Sequence, residues 1–161
     1  MPAGLNFAGH NMKNKIPEGF VPFPKMPGFL ETTGPLYVNY TDTEARLGVL
    51  IEEKHVNIAN ICHGGMIMTL ADMQLGIGAQ AALKMRKFLP TMHMSGDFVA
   101  PTPLGAWLEG RTEVIKATRK SIFATCILTA DGETVFSGSG IMKIPGDKSG
   151  QFADIMISDR G

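Results

Sequence analysis

The sequence predicts an α+β domain in which an antiparallel sheet wraps around one long buried helix. Three observations predict it. Residues 65–87 hold a long apolar run with helical spacing, in which Met66, Ile67, Met68, Leu70, Ala71, Met73, Leu75 and Ile77 leave almost no polar face. Two strand-like runs precede that helix and four follow it. Asp131-Gly132, set between two such runs, is a strong hairpin signal.

The elements follow in order. Residues 1–30 are expected to form an irregular extension, because Pro17, Pro22, Pro24 and Pro27 exclude a regular helix or a central strand. Phe20, Phe23 and Phe29 lie among those prolines. They suit rings docked on the domain, or a lid or wall of a substrate tunnel. Residues 31–146 form the domain proper. Within it, 36–40 and 46–52 read as strands separated by a turn at Thr41-Asp42-Thr43. Residues 55–62 are a polar loop containing Asn57 and Asn60. In the helix, Gly76 and Gly78 permit close packing, and Lys84, Arg86 and Lys87 are placed to complement its C-terminal dipole. Strands are expected at 91–99 and 107–117. In the second, Trp107, Glu109, Arg111 and Glu113 share one face, and Leu108, Thr112 and Val114 the other. After a turn at Arg119-Lys120, residues 122–130 are nearly all apolar or small, as expected of a strand covered on both faces. Residues 134–144 return as the last strand, and 147–161 read as a loosely held tail.

Composition removes several classes of function. Lys plus Arg and Asp plus Glu are both 15, so the net charge is zero, which argues against nucleic acid as a partner. Cys62 and Cys126 are the two cysteines, too few for a disulfide framework, and a reducing, cytoplasmic compartment fits best. No secretory signal is expected at the N-terminus. The longest apolar run is broken by Asp72, Gln74 and Gln80, so no membrane span is expected.

The chemistry concentrates in residues 55–72, HVNIANICHGGMIMTLAD. Gly64-Gly65 allow a ligand or another backbone to come close. The helix start offers unpaired N–H groups and partial positive charge, suited to an oxygen becoming negative. Asp72 is a lone carboxylate among apolar residues, costly unless paired or hydrated. Taken singly, each residue has an ordinary reading. Asn57 suits a turn, His63 a structural hydrogen bond, and Asp72 a buried ion pair. The methionines, Met68 included, fit a core, although Met also packs adaptably beside acyl chains. Cys62, His63, His55 and His93 match no standard zinc spacing, so no metal is expected. Cys62 as a nucleophile lacks a specified base.

Together, His55-x-Asn57, then Cys62-His63-Gly64-Gly65 and Leu70-Ala71-Asp72, resemble the hotdog-fold acyl-CoA thioesterases. The resemblance is to their phenylacetate-pathway (PaaI-like) branch. Gly96-Asp97-Phe98-Val99-Ala100-Pro101 followed by Leu104-Gly105 is similar to the strand and turn after the family's helix. Asn60 stands where several relatives have glycine. The resemblance implies hydrolysis of acyl-CoA without a cofactor. The Gly64 N–H would meet the thioester carbonyl, and Asp72 would act as general base or nucleophile. Asn57 would hold water or polarise the carbonyl, and His63 would donate a hydrogen bond or shape the loop. Gly65, Met68 and Thr91 would border the substrate, with Thr91 placed to position water. Arg119 and Lys120 are solvated turn charges or contacts for coenzyme A phosphates. Nine residues of helix rise about 13.5 Å over about two and a half turns, which carries Asp72 away from His63 and to the opposite side. A site using both therefore needs a second chain about a two-fold axis, in a homodimer or dimer of dimers. The rivals are an acyl-CoA-binding protein without turnover and a hydratase or dehydratase on the same fold.

Overall fold

The structure, a computed structural model, describes residues 15–146. The expected tail at 147–161 and the first part of the N-terminal extension lie outside the described residues. The elements run β1 (Val21–Pro22), α1 (Phe29–Thr33), β2 (Leu36–Tyr40), β3 (Ala45–Leu50), a 3-10 turn at Glu53–His55, α2 (Gly64–Ala82), β4 (Thr91–Phe98), β5 (Trp107–Ala117), β6 (Ser121–Ala130) and β7 (Glu133–Lys143). The strands form a single seven-stranded sheet in the order β1-β2-β3-β5-β6-β7-β4. Every neighbouring pair is antiparallel. The two strands that flank α2 in sequence are thus far apart in the sheet, and β4 is left as its outer edge.

The sheet curls around α2 because one stripe of that helix is wholly buried. Leu70, Ala71, Gln74, Leu75, Gly78 and Ala79 recur at helical spacing and pack on the sheet. The opposite side is less covered, and Thr69, Asp72, Met73 and Gly76 are half-buried. Gln74 is polar and yet fully buried, for a specific reason. The ladder between β3 and β5 spans only Gly48–Leu50 against Trp107–Glu109, so backbone groups beyond it need other partners. Gln74 accepts from Leu47 N–H at 2.8 Å and donates to Ala45 C=O and to the Thr112 hydroxyl, both at 2.9 Å. Gly78 is where Thr112 approaches the helix, and a Cβ there would lie 2.4 Å from the Thr112 side chain.

Several expectations are corrected. The sheet begins earlier than residue 31, because Val21 and Pro22 pair with Val38 and Tyr37. The proline is tolerated because β1 is an edge strand. Phe23 is buried and Phe20 packs edge-on against Trp107 at 5.0 Å, whereas Phe29 is exposed. The helix stops at Ala82, so Lys84, Arg86 and Lys87 lie beyond it. Lys84 adopts φ 52°, and two bonds, Met85 N–H to Gln80 O and Lys84 N–H to Ala81 O, close the end as a Schellman motif. Strand β6 is covered on one face only. Its residues alternate, and Phe123 and Ile127 are about 40 % exposed on the outer side, because no described residue supplies a second layer there. The hairpin at Asp131-Gly132 has positive φ at both positions, 48° and 91°, as a two-residue turn between twisted strands requires.

Candidate functional site

The loop 55–62 is held from both sides. The buried His55 donates from Nε2 to Thr33 C=O at 2.8 Å and accepts at Nδ1 from Glu52 N–H at 3.0 Å, a pairing that selects one neutral tautomer. Asn57 Oδ1 accepts from Ala59 N–H at 2.9 Å, closing an Asx turn, and Asn60 completes the bend with φ 59°. The Asn57 carbonyl oxygen is therefore engaged in the loop, and its amide NH₂ remains the group available to a ligand. Cys62 N–H donates to Thr102 C=O at 2.8 Å, which ties the loop to the β4–β5 connection.

His63 is the N-cap of α2. Its Nδ1 accepts from Gly65 N–H at 2.9 Å, and its carbonyl accepts from Met66 and Ile67 N–H. The cap takes up the Gly65 N–H and leaves the Gly64 N–H without an acceptor among the described residues. Gly64 lines a cavity of about 460 Å³. Its walls are Asn57, Ile61, Cys62, Gly64 and Ile67 on one side and residues 98–102 on the other. A first N–H at the positive end of a helix, opening on a mostly apolar cavity, is suited to stabilise an oxyanion. Cys62 shares the wall, but burial pushes its thiol up to about 11, so it stays protonated at neutral pH. Burial does the same to Cys126, whose thiol is also raised to about 11.

Asp72 lies elsewhere. It is half-buried on the third turn of α2, and its Oδ1 accepts from the Thr91 hydroxyl at 2.6 Å. Thr91 opens β4, so the edge strand and the central helix jointly aim the carboxylate. Neither residue lines the cavity at Gly64. The structure thus forms two clusters, one of Asn57, His63 and Gly64 and one of Asp72 and Thr91, and does not unite them within the chain. Met68 packs against the core one turn before Asp72. Arg119 and Lys120 stand exposed in the β5–β6 turn, away from the cavity. Among the described residues no group of three or more His, Cys, Asp or Glu is arranged to hold a metal, and no helix is long and apolar enough to cross a membrane. Sequence reasoning passed over Thr102, which is buried in the cavity wall. Its only signal was a polar residue between Pro101 and Pro103.

A single curled antiparallel sheet around one long helix, with its polar groups at the helix start and on the third turn, defines a hotdog-fold protein. A profile of the thioesterase superfamily matches residues 59–137, which carry the His63-Gly64-Gly65 turn, Asp72 and Thr91. A protein of Pseudomonas aeruginosa, provisionally named an esterase, is 33 % identical over 132 residues, covering 81 % of this chain and 98 % of its own. The chain belongs to the thioesterase superfamily. Solved structures agree on the fold. The phenylacetic acid degradation protein PaaI of Thermus thermophilus, as a mutant, has a TM-score of 0.64 at 21 % identity, over 73 % of this chain and 98 % of that one. A Streptococcus mutans protein bound to acetyl-CoA has a TM-score of 0.65 at 17 % identity, over 77 % of this chain and 96 % of its own.

Proposed function

We propose that the protein hydrolyses acyl-CoA thioesters to a free acid and coenzyme A, in the manner of the PaaI-like branch. The observation that carries this reading is the Asp72–Thr91 hydrogen bond at 2.6 Å, which fixes the half-buried carboxylate that is the one charged side chain of α2. Membership of the thioesterase superfamily and the acetyl-CoA bound to the Streptococcus mutans relative support the substrate class.

In this reading the thioester carbonyl takes the Gly64 N–H, with the Asn57 amide as a second donor. Asp72 either removes a proton from the attacking water or attacks the carbonyl itself to form a mixed anhydride that water then opens. In both routes the carbonyl oxygen becomes negative at the helix start, and coenzyme A departs as a thiolate. The Thr91 hydroxyl orients the carboxylate, and His63 keeps the N-terminus of α2 capped.

The active site is shared between two copies of the chain. Asn57 and Gly64 come from one copy and Asp72 with Thr91 from the other. Two features support this assembly. β4 is exposed along nearly its whole length as an open sheet edge, and the Asp72 side of α2 is only half-buried. The free buried thiols Cys62 and Cys126 fit a reducing cytoplasm. Release of free thiol from a panel of acyl-CoA esters, acetyl to palmitoyl and aryl, tests the activity. Turnover of at least one is expected, and turnover of none would refute it.

A further inference from the structure

The chain carries no net charge, yet its cations are unevenly placed. Lys84 and Arg86 follow α2, Lys116, Arg119 and Lys120 lie in the β5–β6 hairpin, and Lys143 ends β7; all six are exposed. Backbone contacts bring the three segments to one end of the sheet. Lys143 N–H donates to Pro90 C=O and Ile144 N–H to Lys120 C=O, each at 2.8 Å. Residues 82–91, 114–124 and 141–146 contain no Asp or Glu. The carboxylates that border them are Glu113, one residue back along β5, and Asp72, half-buried and bonded to Thr91. The same hairpin exposes apolar side chains. Residues 115–120 are exposed without interruption, so the alternation of a covered strand stops at Val114 and the tip stands clear of the core. The register shifts between Val114 and Lys116, so Ile115 and Lys116 together face Phe123, as two residues face one at a bulge. Ile115 is 61 % exposed and Phe123 39 %. The Thr118 hydroxyl accepts from Lys120 and Ser121 N–H, which holds Arg119 and Lys120 at the apex.

We infer that this end of the molecule docks on a membrane surface containing anionic phospholipid, with the cations among the phosphate headgroups and Ile115 and Phe123 in the apolar boundary beneath them. Lys and Arg reach headgroups on long stems while the adjoining apolar residues sit deeper. A basic patch and a small apolar insertion are each weak alone, and together they give reversible attachment. The attraction is local, because charges further off than about 10 Å are screened, so zero net charge does not oppose it. The shape of the surface selects the occupant. Neither cavity, the one at Gly64 nor the one on the outer face of β5 and β6, includes any of the six cations, so they do not enclose a small anion. A second copy is disfavoured, because a two-fold contact through this end would set like charges together. The inference does not depend on the proposed hydrolysis.

The test is co-sedimentation of the full-length protein with vesicles of phosphatidylcholine, with and without phosphatidylglycerol. Binding is expected only where phosphatidylglycerol is present, and should weaken as salt is raised. The double variant Arg119→Gln, Lys120→Gln should bind about thirtyfold more weakly, at about fivefold for each cation near the surface. Both positions are exposed, so its melting temperature should match that of wild type. A second measurement does not rely on that variant. An environment-sensitive dye on the Ile115→Cys variant reports the hairpin alone, because Cys62 and Cys126 are buried. Its emission should shift to the blue with the anionic vesicles and stay unchanged with phosphatidylcholine. Absence of binding to either vesicle, or equal binding to both, would overturn the inference. So would anionic binding that leaves the dye unshifted, since another surface would then be responsible. Retention on heparin without vesicle binding would also overturn it, and would make the patch a site for a soluble polyanion.

Discussion

The two ends of the candidate site are built differently. At the start of α2 the chain satisfies most of its own groups and leaves the Gly64 N–H open. His55 ties the loop to Thr33, Asn57 closes a turn on Ala59, His63 caps the helix, and Thr102 holds Cys62. Around Asp72 it does not. Among the described residues the carboxylate has one hydroxyl partner, its side of the helix is half-buried, and the adjacent strand is an exposed edge. In the proposed reading, a donor end built within one chain is paired with a carboxylate end left open to another surface. A helix rise of about 13.5 Å between them makes the second surface necessary if both ends serve one substrate.

The largest expected effect sharpens the contrast from the open end. Asp72→Asn should lower kcat by about a hundredfold or more, because the amide keeps the shape but cannot act as base or nucleophile. Its melting temperature should stay near that of wild type, and steady-state thiol release read beside thermal unfolding checks both. Thr91→Val should act on the same end more weakly, reducing kcat by about tenfold with little change in KM, since it removes only the group that orients the carboxylate.

The buried face of α2 and its capped start should break differently. Gln74→Leu removes the partners of the Leu47 N–H and the Ala45 carbonyl, both of which remain buried, and should cost about 2–4 kcal/mol of stability by denaturant unfolding. His63→Ala deletes the cap and should cost about 1 kcal/mol, with a parallel loss of kcat as the helix start frays. Cys62→Ser is expected to leave turnover within about twofold. The Cys62 thiol, held up at about 11, is not ionised at neutral pH and should react with iodoacetamide roughly a hundredfold more slowly than an unburied cysteine. A dead serine variant that still folds would move the chemistry to the thiol.

Much of the architecture was legible because it rests on periodicity. Strand β5 falls at the expected residues, and the Asp131-Gly132 turn follows from the two positive φ values those residue types tolerate. The long helix was visible, but its end was not, because a lysine occupies the left-handed position where glycine is usual. Strand β1 is two residues long and contains Pro22, so it carries no pattern of its own, and only pairing with β2 makes it a strand. The apolar run of β6 suggested cover on both faces, yet composition does not say where a second layer would come from. In the candidate site, the spacing of Asn57, His63 and Asp72 could be read, and so could their separation along the helix. That the Asn57 oxygen is consumed by its own loop, that His63 takes the Gly65 N–H, and that the Thr102 hydroxyl finds no partner among the described residues depend on contacts made through folding and have no local signal.

The central claim, that the open end of one chain completes the closed end of another, is tested most directly by mixing two damaged proteins. Asp72→Ala and Asn57→Ala homodimers each carry two impaired sites. In a mixed dimer built on a two-fold axis, one site collects both substitutions and the other collects neither. Random co-assembly makes about half the dimers mixed, so co-expressed chains should recover about a quarter of wild-type thiol release. If Asp72 and Asn57 served a site within one chain, every site would carry a substitution, and verified mixed dimers would show no recovery.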